Sequence, residues 1–147
     1  MSENSPLFAC EPSLPAPTEG CLCPTGAGAA FLFDVLRAWR SHVPLCPLEK
    51  GQAPPAIAAL PAGIAHLKTT SATTGTPRLI ALTDKQLAAD ATNVVTTMGL
   101  RPDWPNVGVI SLAHSYGFSN LVTPLILHGI PLILADSPLP EMVRSKG

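Results

Sequence analysis

Apolar positions change their spacing along this chain, and each change marks an element. From Met1 to about Pro24 no apolar period holds; Pro and Ser are frequent, and the segment reads as an extended or irregular arm. Phe31, Leu32, Val35, Leu36 and Trp39 then fall at helical spacing, with Asp34, Arg37 and Arg40 between them. This predicts an amphipathic helix over Ala29 to His42, with Thr25 as its cap and Pro44 as its stop. The prolines and scarce charges between Pro44 and Ala62 predict a linker or a loop lying on a surface. A soft boundary near Pro61 divides the chain into 1–61, an arm, helix and linker, and 62–147, a more regular α/β part.

Beyond that boundary the pattern reads β–loop–β–α–β–α–β. Ile64 to Thr70 and Arg78 to Thr83 are predicted strands. Thr83 or Asp84 caps a helix running to about Met98, with Leu87, Ala88, Ala91, Val94 and Val95 on its apolar side and Gly99 closing it. Val107 to Leu112 is a short continuous apolar run, which predicts a strand buried on both faces. Phe118 to His128 reads as a buried helix, starting after Gly117 and ending at Gly129. Ile130 to Leu134 reads as a further buried strand. Strands alternating with helices predict an α/β fold with a layered, largely parallel sheet.

The chemistry concentrates between the first two strands. Thr69, Thr70, Ser71, Thr73 and Thr74 are followed by Gly75, Pro77 and one cation, Arg78. Small side chains let backbone N–H groups approach an anion, hydroxyls add donors, and Gly supplies unusual dihedrals. A plain hairpin turn would use the same residue types. Neither the GxxxxGK[ST] spacing of a P-loop nor the GxGxxG of a dinucleotide fold is present.

Thr70-Ser71-Ala72-Thr73-Thr74-Gly75-Thr76-Pro77-Arg78 resembles the signature loop of the adenylate-forming (AMP-binding) superfamily, written TSGTTGxPK. That superfamily includes acyl-CoA synthetases, aryl-CoA ligases, luciferases and nonribosomal-peptide adenylation domains. Leu82 to Leu87 resembles its LTHxNL continuation, and Leu112-Ala113-His114-Ser115-Tyr116-Gly117 resembles its LPxFHxYG segment. Leu125 to Leu134 is similar to its LLxGxxxVL stretch. The likeness covers roughly Ile64 to Ala135.

The resemblance implies part of the large amino-terminal domain of an enzyme that joins a carboxylic acid to ATP, with Mg2+, and passes the acyl group to CoA or a carrier-protein thiol. It places Thr70, Ser71, Ala72, Thr73, Thr74, Gly75 and Arg78 at the ATP phosphates. It places His114 beside the carboxylate, and Tyr116 and Asn120 in the acyl pocket. Arg78 stands where the family has Lys, and its fork suits phosphate. Ala72 replaces a Gly, and Leu79 replaces the Gly after the cation. The YGxTE and TGD segments and the family's late lysine have no counterpart. The expectation is therefore a fragment of an acid-activating ligase, not competent by itself. The alternative is a non-catalytic remnant or interaction module that pairs with a partner chain, either the missing remainder or another subunit.

Composition narrows the setting. Only 13% of the 147 residues are charged against 46% hydrophobic, which leaves little polar material to cover a compact surface. A net charge of −1 gives no footprint for nucleic acid. No apolar run approaches the roughly 20 residues of a membrane span. Met1 to Pro6 lacks the pattern of a signal peptide, and the expected setting is cytoplasmic, with reduced thiols. Cys10, Cys21, Cys23 and Cys46 do not match a zinc spacing, and no metal ligand is assigned.

Overall fold

The computed structural model describes residues 20–57, 59–69 and 78–135. The elements in chain order are α1 (Ala29–Arg40), β1 (Ile64–Thr69), β2 (Leu79–Thr83), α2 (Asp84–Met98) and β3 (Asn106–Gly108). A single turn α3 (Ser115–Gly117), a π-helical segment (Phe118–Val122), α4 (Thr123–His128) and β4 (Leu132–Leu134) follow.

Phe31, Val35 and Ala38 form the buried stripe of α1, spaced as an amphipathic helix requires. Its cap is Gly28, at φ 93°, and not Thr25. Thr25 is held elsewhere, in a parallel bridge to Leu48. The helix ends at Arg40, short of His42, because His42 turns into the left-handed region at φ 54°. In α2 the capping box is complete: the Thr83 side chain accepts from the Gln86 N–H, and the Gln86 side chain accepts from the Thr83 N–H. Such a cap contributes about 1 kcal/mol. Gly99, at φ 63°, ends the helix as a left-handed cap.

Among the described residues the expected layered, largely parallel sheet is not found; one sheet is antiparallel and one parallel. β1 and β2 pair antiparallel, because the connection between Thr69 and Leu79 is too short for the dozen or more residues of a parallel crossover. Parallel pairing occurs where helix intervenes, between β3 and β4, with Val107 opposite Ile133. The two sheets are separate, each of two strands. β3 is also shorter than the expected Val107 to Leu112 strand. Val109 and Ile110 lie beyond it, 42% and 40% exposed, so that run is not buried on both faces.

The segment expected as a surface loop after Pro44 carries buried residues. Leu45 bridges Leu22 on one side and His66 of β1 on the other, both in parallel. Leu22 N–H donates to the Pro44 carbonyl, and Cys46 N–H donates back to the Leu22 carbonyl. The chain around Leu45 thus acts as a short middle strand, and successive side chains point to opposite faces. Leu22 and Leu45 join the main core with Phe31, Val35, Leu87, Leu112, Phe118 and Val122. On the other face, Cys46 packs with Leu48, Leu67, Cys21 and Cys23.

Phe118 sits at the centre of the main core. Its ring meets Phe31 and Trp39 edge-on, at 6.4 and 6.3 Å, and stacks on the imidazole of His66 at 4.3 Å. Edge-on aromatic pairs contribute about 0.5–1.5 kcal/mol each beyond their area.

Candidate functional site

A cleft of about 760 Å³ opens where β1 ends. This lies within the range of small-molecule sites, roughly 300–1,000 Å³. His66, Lys68 and Thr69 of β1 line it, facing the 47–52 segment, Ile80, and the turn carrying Ala113, His114 and Ser115. The alternation of β1 puts His66 and Lys68 on one face.

His66 is buried and its Nδ1 has no hydrogen-bond partner among the described residues. Burial, with the nearby Lys68 charge adding to it, holds its pKa down at about 3. It is therefore a neutral, packed histidine against Phe118. Lys68 reaches across to donate from Nζ to Ser119 Oγ at 3.0 Å. Ser119 is fixed in turn by the π-helical segment, where its carbonyl accepts from Thr123 Oγ1 at 2.9 Å. Gln52 Nε2 donates to Thr69 Oγ1 at 2.9 Å, and Gln52 Oε1 accepts from the Glu49 N–H. These bonds pin the 49–52 wall to the last residue of β1.

His114 is exposed and also lines the cleft. Its Nδ1 accepts from the Tyr116 N–H at 3.2 Å, which makes the neutral tautomer Nε2–H and leaves Nε2 as the donor atom. Gly117 explains the end of this turn. A Cβ there would overlap the backbone carbonyl of Ser111, so the chain passes only because no side chain is present. A π-helical segment directly follows, a feature frequent at functional sites.

Among the sequence-predicted site residues, His114 lines the cleft at the exit of β1. Tyr116 is 59% exposed and does not line the cleft. Asn120 Nδ2 donates to the Tyr116 carbonyl at 2.8 Å, closing a local turn instead of facing the cleft. Arg78 precedes β2 and is exposed. Thr70, Ser71, Ala72, Thr73, Thr74 and Gly75 lie outside the described residues. Sequence reading passed over Lys68, Ser119 and Gln52 as members of the site. The alternation in Ile64–Thr69 already placed Lys68 two residues after His66, on one face. The partner across the cleft is tertiary and left no local trace.

Among the described residues no group of three or more His, Cys, Asp or Glu is arranged to hold a metal ion, and no magnesium ligand is assigned to them. No described helix is long and apolar enough to cross a membrane.

No family model matches the sequence, and no curated protein matches it. Solved structures do. The o-succinylbenzoate coenzyme A synthetase MenE from Bacillus subtilis, in complex with AMP, superimposes with a TM-score of 0.61 at 16% identity. The same enzyme in complex with the acyl-adenylate intermediate OSB-AMP gives the same values. The match covers 78% of this chain and 42% of MenE, so the chain spans less than half the length of these neighbours. At that identity the likeness is one of fold. The described residues share the fold of part of MenE, an enzyme of the adenylate-forming superfamily.

Proposed function

We propose that this chain carries the phosphate-loop portion of an ATP-dependent, carboxylate-activating ligase, and that alone it does not complete the reaction. The observation that carries this reading is the cleft itself. His114, Lys68 and Thr69 line it together, where β1 leads into the Thr70 to Arg78 sequence. The shared fold with an AMP-bound synthetase supports the same assignment.

In this reading the hydroxyls and N–H groups of Thr70, Ser71, Ala72, Thr73, Thr74 and Gly75 receive the ATP phosphates, and Arg78 adds a fixed positive fork. Preorganised donors aimed at developing negative charge stabilise phosphoryl chemistry without reorganisation. Lys68, held on Ser119, adds a second cation at the same wall. His114 Nε2–H serves as a donor to the acid substrate, with Tyr116 and Asn120 on the acyl side. Mg2+ would enter with the nucleotide, and CoA or a carrier thiol would accept the acyl group. Ribose, adenine and metal contacts are assigned to a complementary polypeptide segment.

Pyrophosphate exchange with a panel of carboxylic acids tests this. The 147-residue chain is expected to give no exchange. The chain joined to the missing segments is expected to exchange with at least one acid, and silence across the whole panel would sink the ligase reading. A second reading, an interaction module, draws on one observation. Val107, Val109, Ile110 and Trp104 are exposed beside the short β3–β4 sheet, an apolar surface of the kind that partners cover.

A further inference from the structure

Three of the four cysteines come together on one face of the chain. The parallel bridges Leu22–Leu45 and Thr25–Leu48 share one register, which sets Cys23 directly beside Cys46. Neighbouring strands stand about 4.8 Å apart. That spacing falls within the roughly 4.4–6.8 Å between Cα atoms that a disulfide spans. Cys21 lies two residues back on the same face. Cys46 is fully buried, while Cys21 and Cys23 are half-buried and reachable from solvent. Leu48, Leu67, Ile57, Leu60 and Ile64 enclose the group in an apolar setting. All three thiols are free. No metal-holding geometry is found among them.

We propose that Cys23 and Cys46 form a redox-active pair that closes to a disulfide by exchange with a low-molecular-weight disulfide such as oxidised glutathione, with Cys21 as a positioning thiol. The half-buried Cys23 reacts first. Its sulfur attacks one sulfur of oxidised glutathione, the glutathione S–S bond breaks, and one glutathione leaves as a thiol carrying the Cys23 proton. Cys46 sulfur then attacks the Cys23 sulfur, and the second glutathione leaves with the Cys46 proton. Two protein thiols are oxidised, and one glutathione disulfide is reduced to two thiols.

Access sets that order, since Cys23 is half-buried and Cys46 is buried. The neighbouring Cys21 thiol holds Cys46 below the usual thiol range, which favours Cys46 as the closing nucleophile. Hydrogen bonding to Cys46 and burial push Cys21 up, and burial pushes Cys23 up, so both remain thiols at neutral pH. The first step is then slow and the second fast, and the mixed disulfide does not accumulate. The bond would tie the 20–25 segment to Leu45 and hence to β1, the strand that leads toward Thr70.

The test treats the full chain with oxidised glutathione, followed by thiol titration and peptide mapping. Loss of two thiols, with a mapped Cys23–Cys46 bond, is the expected result. A bond through Cys10, a Cys21–Cys46 bond, or stable glutathione adducts without an internal bond would overturn the proposal. Closure in the folded chain is expected to exceed that in the urea-unfolded chain by about tenfold or more, because the register holds the sulfurs together; equal rates would overturn it. C23S, checked for native circular dichroism, is expected to lose the internal bond and to gain no stable glutathione adduct at Cys46, because the thiol that reacts first is gone; an internal bond in that variant would overturn the proposal. The half-buried position of Cys23 makes that variant compatible with folding, whereas the buried Cys46 is left intact.

Discussion

β1 and the apolar run in which β3 ends are both short, yet one is built into the molecule and the other lies near its surface. β1 has a neighbour on each side, β2 in antiparallel pairing and Leu45 through a bridge, and its His66 and Leu67 are buried. β3 pairs with β4 alone, and Val107 is 39% exposed. The run from Val107 to Leu112, in which β3 ends, is no less apolar than β1. An apolar run is buried only as far as the elements on both sides of it reach, and here the second neighbour of β3 is absent among the described residues.

The largest test of that contrast lies at Phe118, which packs against β1. Phe118→Ala removes two edge-on aromatic contacts and the stack on His66. It is expected to cost about 3–5 kcal/mol by urea denaturation. Ile110→Ala, in the exposed run after β3, is expected to stay within about 0.5 kcal/mol. Equal losses at the two sites would erase the distinction.

A smaller effect follows from pH. The folded pKa of His66, about 3, lies below its ordinary 6.5, so the unfolded chain takes up the proton first as pH falls. Stability associated with this group is complete above about pH 7, declines through 6.5 and levels off near 3. Between about pH 7 and about pH 5 the loss is about 2 kcal/mol. His66→Phe, which keeps a ring against Phe118, should flatten this dependence. An unchanged slope in that variant would show that the burial of β1 does not control it.

The smallest effect is local. Thr83→Ala opens the capping box at the start of α2 and is expected to cost about 1 kcal/mol, read as a lowered urea midpoint with unchanged slope. Since the cap is formed within four residues, the loss should be the same whether or not the β3 face is covered by a partner.

Local signals explain most of what was legible. The helix α2 was readable to within a residue because Thr83, Gln86 and Gly99 state its ends in side-chain chemistry. The turn at His114 to Gly117 was readable as a segment of interest through its likeness to LPxFHxYG. The expected cap at Thr25 failed because a tertiary bridge to Leu48 claimed that residue. The parallel sheet failed for the β1–β2 pair because connection length overrules alternation. Lys68 escaped notice because its partner, Ser119, lies 51 residues further along the chain.

Sequence by itself determined α1 and α2, the first strand pair, the hydroxyl-rich segment ending at Arg78 and the fold kinship, since each rests on spacing or chemistry between near neighbours, whereas the single helix expected over Phe118 to His128 is divided into a π-helical segment and α4. Tertiary structure decided which apolar runs are buried, that Lys68 and His114 face one cleft, and that Cys23 stands beside Cys46. Those outcomes depend on pairing register and on packing between distant segments, where the free energy comes from neighbours that no local window contains.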